Sequence, residues 1–153
     1  MVSASFLRPG ISCSRPTTEN YQLEIVKASG LGPLLRLLQS PDHDSIYAAA
    51  SCVFNLTYQP TNRSPIIGAG FLQPLVNLLA LRDSEMIQLD AAKALGNLAA
   101  GTKENKRAIV NAGAVQSIKE LVLESPVRAQ ISMMNCIGHL SLSGMDPPSN
   151  HLL

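Results

Sequence analysis

The sequence of 153 residues has no tryptophan, and only 4% of its residues are aromatic. Its formal charge is +1, and no run of Lys or Arg is longer than the pair Lys106 and Arg107. A chain of this kind lacks the strong positive field that attracts nucleic acids and anionic membranes. We therefore expect no nucleic-acid partner.

Long apolar runs are also absent. The longest, residues 66–81, contains Gln73, Pro74 and Asn77, and it falls short of the roughly 20 residues that a membrane span requires. The N-terminus has no sustained apolar segment, and Val2 stands where N-myristoylation needs glycine. The sequence thus predicts no membrane span, lipid anchor or secretion signal.

Cysteine is sparse, and no two cysteines have the CxxC spacing. An odd number of cysteines indicates free thiols in a reducing compartment, the cytoplasm or nucleus. Cys136 and His139 lie three residues apart, but a zinc site needs about four ligands, and the remaining candidates are scattered as Cys13, Cys52, His43 and His151. No nucleophile has an evident base beside it. We therefore predict no metal, no cofactor and no enzymatic activity.

What the sequence does contain is aliphatic material and an internal repeat. Hydrophobic residues make up 46% of the chain, which is enough for a sizeable core. Leu, Ala and Ile are abundant while aromatic residues are few, which favours an all-α fold. Asn55 and Asn97 are 42 residues apart, and Gly70 and Gly113 are 43 apart. That period is typical of a helical solenoid. The predicted units span approximately 19–58, 61–100 and 103–142, after an unstructured segment 1–18 and before residues 143–153, a linker and the start of a further unit.

Each unit is predicted to contain three helices. A short first helix ends at Gly70 or Gly113, where glycine can adopt a left-handed conformation, and Ser29-Gly30 stands at this point in the first unit. A second helix of roughly ten residues, a polar turn and a longer third helix follow. In the last turn, Ser125 is the predicted N-cap and Pro126 the first helical residue.

The third helices share five apolar columns with helical spacing, and we expect all of them to be buried. The columns are Ala49, Ala91 and Met133; Ala50, Ala92 and Met134; Cys52, Ala94 and Cys136; Val53, Leu95 and Ile137; and Leu56, Leu98 and Leu140.

The glycine turn in "IVNAG", the helix ending "LVL" and the third helix "AAKALGNLA" resemble the armadillo repeat over about residues 20–142. The resemblance implies an armadillo-type α-solenoid of about three repeats whose third helices line a concave groove. The segments "LEIVKASGLGPLLRLLQS" and "SPIIGAGFLQPLVNLLA" resemble the fungal vacuolar adaptors of this family. That likeness implies a scaffold on the cytosolic face of the vacuole membrane that serves vacuole inheritance, nucleus–vacuole contact and selective autophagy.

The groove implied by the resemblance contains Asn55 and Asn97 at the edge of the apolar stripe, with His139 in the third unit. Carboxamides at this edge can donate to and accept from the backbone of an extended segment of another protein. Alternatively, these asparagines bond a turn of the neighbouring repeat. Other predicted groove residues are Ser51, Lys93 and Asn135, and, about two turns before the asparagines, Tyr47 and Asp90.

The nuclear-import armadillo proteins carry tryptophans at the positions of Ser51, Lys93 and Asn135, so we expect no binding of nuclear signals. Neither terminal unit has the polar outer face of a capping repeat, so the sequence predicts a fragment truncated at both ends that self-associates. A structural solenoid fragment that self-associates without a dedicated ligand is the alternative function.

Overall fold

A computed structural model describes residues 25–27 and 29–142 of the chain. Within these residues the structure is helical and contains no β-strand. The expectations for residues 1–18 and 143–153 lie outside this part. Besides the helical residues 25–27, the helices are α1 (Leu31–Leu38), α2 (His43–Leu56), α3 (Pro60–Gly68), α4 (Leu72–Leu78), α5 (Glu85–Ala99), α6 (Lys103–Asn111), α7 (Ala114–Leu121) and α8 (Val127–Ser141), with a 3-10 turn at Val122–Glu124.

The helices form three successive units, which confirms the predicted all-α solenoid. Residues 25–27 with α1 and α2 form the first, α3 to α5 the second, and α6 to α8 with the 3-10 turn the third. The long helices pack side by side, with α5 between α2 and α8. The short helix α1 packs on α2, and α4 packs on α5. The three long helices therefore form one continuous row.

Side-chain caps start three of the helices. Asp42 accepts the backbone N–H of Ser45 at the start of α2, and Thr102 accepts that of Asn105 at the start of α6. Ser84 accepts the N–H of Ile87 at the start of α5. Each bond satisfies a donor that the first helical turn would otherwise leave unpaired.

The predicted cap of α8 was wrong by one residue. The helix begins at Val127, and the N-cap position is Pro126, which has no capping side chain. The Ser125 hydroxyl donates instead to the carbonyl of Leu121 at 2.8 Å and accepts from Nε2 of Gln88 at 3.1 Å. Because Gln88 lies on α5, the serine links two units and is not available as a cap.

The left-handed turns lie where the repeat predicts them. Gly70 has φ of 90° and Gly113 has φ of 81°, and Ser29 takes this conformation in the first unit with φ of 62°. Next to it, a Cβ at Gly30 would approach the carbonyl oxygen of Ile25 to 2.7 Å, so a side chain cannot be accommodated there. The first unit therefore uses its glycine for close packing and its serine for the turn.

The apolar columns are buried throughout the first two units, as predicted. In the third unit the prediction was wrong for Met134, whose side chain is 55% exposed, while Ile137 and Leu140 are only half-buried. Among the described residues, α8 packs mainly against α5 and the 3-10 turn. The opposite side of α8 thus has no helix to cover it in this part of the chain.

Leu95 tests the register of the core. Its side chain is fully buried between the long helices, so we expect Leu95→Ala to lower the free energy of unfolding by about 2 to 4 kcal/mol through lost burial and a cavity. Leu123→Ala is the matched control because Leu123 is 87% exposed, and we expect a change below about 0.5 kcal/mol. Urea unfolding followed by circular dichroism measures both, and equal losses would show that the register is wrong.

Candidate functional site: the groove face

Six predicted groove residues lie on the same side of the three long helices, and we call this side the groove face. On each helix two of them are four residues apart, which places them one turn apart on one surface. They are Ser51 and Asn55 on α2, Lys93 and Asn97 on α5, and Asn135 and His139 on α8.

Asn97 bonds the preceding unit. Its Nδ2 donates to the Thr57 hydroxyl at 3.0 Å, and that hydroxyl donates to the carbonyl of Phe54 at 2.6 Å. Because the single hydroxyl proton of Thr57 is committed to Phe54, the oxygen accepts from Asn97, which fixes the orientation of the carboxamide. The Oδ1 of Asn97 makes no hydrogen bond within residues 25–27 and 29–142.

His139 occupies the same column and makes a similar backward contact. Its Nδ1 lies 2.9 Å from the carbonyl oxygen of Gly96 on α5. Since a carbonyl oxygen only accepts, Nδ1 carries the proton. Asn55 is half-buried, and its side chain has no hydrogen-bond partner in the described part of the chain. Two of the three residues in this column therefore also hold neighbouring units together, as the alternative interpretation proposes.

Lys93 is placed over an aromatic pair. Its Nζ lies 5.0 Å from the centroid of the Phe54 ring, and the rings of Phe54 and Tyr58 are 5.1 Å apart with an interplanar angle of 55°. Lys93 and Phe54 are half-buried, and Tyr58 is exposed. We call Lys93, Phe54 and Tyr58 the Lys93 patch. Neither ring was predicted from the sequence, although Phe54 directly precedes Asn55 on α2 and Tyr58 lies just beyond the end of that helix.

The predicted acid of the groove is not presented to solvent. Asp90 is only 6% exposed, and its carboxylate accepts a hydrogen bond from the Ser51 hydroxyl across the α2–α5 contact. Tyr47 and Asn135 are both exposed. The structure therefore brings Ser51 and Asp90 together as a contact between units, and it leaves Tyr47 and Asn135 open to solvent.

Arg63 of α3 is a third functional candidate that was not predicted from the sequence. Its Nε donates to the carbonyl of Thr57 at 3.1 Å, and Nη1 donates to that of Ala100 at 3.2 Å. These carbonyls follow the ends of α2 and α5, where the helix dipoles concentrate partial negative charge. Burial lowers the pKa of this guanidinium below its usual value. Arg63 thus fixes the ends of two long helices relative to each other beside the groove face.

Nothing in residues 25–27 and 29–142 groups three or more His, Cys, Asp or Glu side chains as metal ligands. Cys136 lies in the core, and burial raises the pKa of its thiol to about 12. No helix in this part of the chain is both long and apolar enough to cross a bilayer. The groove face presents amides, a hydroxyl, aromatic rings, the imidazole of His139 and one ammonium group.

Comparison with known families gives a direct match. A family model described as Armadillo/beta-catenin-like repeat matches residues 18–58 and 59–100. The chain is 47% identical over 125 residues to Vacuolar protein 8 of Schizosaccharomyces pombe, an alignment that covers 82% of this chain and 23% of that protein. It is 44% identical over 124 residues to Vacuolar protein 8 of Saccharomyces cerevisiae, covering 81% and 22%. The chain thus spans less than a quarter of the length of these relatives.

Solved structures show the same architecture. The chain is similar to computationally designed armadillo repeat proteins for modular peptide recognition, with a TM-score of 0.73 and 27% identity over 77% of this chain and 50% of that one. It is also similar to a designed armadillo repeat protein in complex with peptide (KR)4, with a TM-score of 0.72 and 26% identity over 77% and 49% of the two chains. Both likenesses extend across most of the helical units described above.

The thiol of Cys136 tests the burial of α8 against α5. With a pKa near 12, on the order of 10⁻⁴ of the thiol is ionised at pH 8, and the thiolate is the reactive form. We expect no labelling of Cys136 by iodoacetamide at pH 8 in the folded protein and full labelling in guanidinium, as measured by peptide mass spectrometry. Labelling of the folded protein at the rate of a free thiol would show that α8 does not pack as described.

Proposed function

The chain belongs to the armadillo-repeat family, and from this premise we propose that it is a protein-binding scaffold whose groove face holds an extended segment of a partner protein. The observation that carries this proposal is the set of polar side chains on adjacent long helices. Asn55 and Asn97 provide carboxamides in one column, and the exposed Asn135 lies on α8 in the column one turn earlier. A peptide backbone has a donor and an acceptor at nearly every residue, and a carboxamide can pair with either.

The bond between Asn97 and Thr57 supports this proposal. It occupies one amide N–H of Asn97 and leaves Oδ1 without a partner among the described residues. An acceptor held in one orientation loses little conformational entropy when it receives a backbone N–H from a ligand. Asn97 can therefore hold the scaffold together and bind a segment at the same time.

The vacuolar role is a finer part of the proposal. We propose that the chain acts in an adaptor on the cytosolic face of the vacuole membrane, in vacuole inheritance, nucleus–vacuole contact and selective autophagy. The support is the name and the 44% to 49% identity of the relatives from several fungi. The designed neighbour with its bound peptide supports groove binding, but its basic ligand does not suit a face that presents Lys93.

Alanine substitution of the two asparagines tests the groove. Octapeptides selected from a random display library on the immobilised chain serve as ligands. We expect the double substitution Asn55→Ala and Asn97→Ala to weaken their binding by roughly 1 to 3 kcal/mol because the backbone loses its partners. The helical circular-dichroism signal should remain. Fluorescence anisotropy with labelled peptides measures the affinity.

Thr57→Val is the matched control. It removes the hydroxyl that Asn97 binds but leaves both carboxamides, so only the orientation of Asn97 is lost, and we expect peptide affinity to fall by clearly less than in the double variant. If Thr57→Val weakens binding as much as the double variant does, the asparagines act through the scaffold. The proposal fails in that case, and it also fails if no selected peptide depends on the asparagines.

A second candidate, self-association, rests on the side of α8 that no helix of the described residues covers. Ile131 and Met134 are 58% and 55% exposed there, and apolar patches of this kind favour contact between chains. On this account the chain is dimeric or larger at micromolar concentration by light scattering, and Met134→Glu returns it to a monomer. A parent chain that is monomeric at about 100 µM excludes this candidate.

A further inference from the structure

We infer that the partner segment is acidic, and that the groove face binds an Asp or Glu carboxylate of this segment on the ammonium group of Lys93 beside Phe54 and Tyr58. The inference rests on the proposed function, since it names the chemistry of the segment that the groove face holds. It follows from the charge distribution on the long helices and from the geometry of the Lys93 patch.

The charges of the long helices are unevenly placed. The exposed acids of α2 and α5 lie in the first turns, at Asp44 and Glu85, and α8 contains no acidic residue. Beyond the first turns, the one other acid is Asp90, which is 6% exposed and bonded to Ser51. A segment lying across the middle of the groove face therefore meets Lys93 and no exposed carboxylate.

The other basic residues near this surface are consistent with the same sign. Arg63 lies at the ends of α2 and α5, half-buried between two carbonyls. His139 directs its Nδ1–H to the Gly96 carbonyl on the next helix and adds no negative charge to this surface. Lysine and arginine side chains of a ligand would be repelled here, while carboxylates are attracted.

The Lys93 patch prepares the ammonium group for a carboxylate. Within residues 25–27 and 29–142, Lys93 has no ion pair with an acidic side chain, and its Nζ is held 5.0 Å from the Phe54 centroid. An ammonium group over a ring face retains N–H donors that point away from the ring. Because the ring contact already restricts the lysine, a carboxylate binds it with less loss of side-chain freedom than at a mobile lysine.

The test compares charge reversal inside and outside the groove. Random octapeptides are selected in parallel on the parent chain, on Lys93→Glu and on Lys119→Glu. Lys119 is exposed on α7 and forms no ion pair in the described part of the chain, so both variants change the net charge equally. We expect Asp and Glu to be enriched in peptides selected on the parent and on Lys119→Glu, and the enrichment to disappear on Lys93→Glu.

Synthetic peptides then give the size of the effect. We expect a selected acidic peptide to bind the parent about 10-fold more tightly than its version with Asn and Gln in place of Asp and Glu. That preference should disappear on Lys93→Glu and on Lys93→Met, which keeps the apolar stem on Phe54 and removes the charge. The Met variant keeps the test valid if a glutamate beside Asp90 destabilises the fold, which thermal unfolding reports.

The outcomes separate this inference from the proposed function. If the selected peptides depend on Asn55 and Asn97 but are not enriched in Asp and Glu, the inference of an acidic segment is wrong and groove binding still holds. The same conclusion follows if the preference for acidic peptides survives in Lys93→Met. If no peptide depends on the asparagines, groove binding fails and the acidic segment fails with it. The inference is supported if Lys93→Met loses the preference for acidic peptides while Lys119→Glu keeps it.

Discussion

The close side-by-side packing of α2, α5 and α8 is the constraint on which the rest of the structure depends. Small side chains at the contacts, among them Ala49, Ala50, Ala91 and Ala92, are fully or almost fully buried and let the helix backbones approach. At such distances the short polar residues beside the alanines reach the next helix. The bond from Ser51 to Asp90 and the bond from Asn97 to Thr57 both follow from this approach.

Several buried polar side chains form hydrogen bonds between units. Nε2 of Gln88 donates to the Leu79 carbonyl at 2.6 Å and to Ser125 of the following unit at 3.1 Å. Oδ1 of Asn105 accepts from Ser64 of the preceding unit at 3.1 Å. An unpaired buried group carries a desolvation cost, so these bonds hold the units in one relative position. Stability in this architecture therefore depends on the contacts between repeats as well as on each repeat.

The repeat, the glycine turns and the columns of the first two units could be predicted from sequence because they depend on local backbone preference and helical periodicity. Met134 could not, because its burial depends on what packs against the far side of α8. The cap at Ser125 failed because the hydroxyl has a more distant partner on α5. The ring pair Phe54 and Tyr58 was missed because its relation to Lys93 depends on the spacing between two helices.

The groove face combines two tasks that are usually assigned to different residues. Asn97 is fixed by Thr57, and Lys93 is restrained by Phe54, whereas Asn55 has no such partner in the part of the chain that the structure describes. A side chain that is already held loses less entropy when a ligand binds to it. Binding energy along the groove should therefore be uneven and concentrated on α5, where the contacts that build the scaffold also orient the groups that bind the partner.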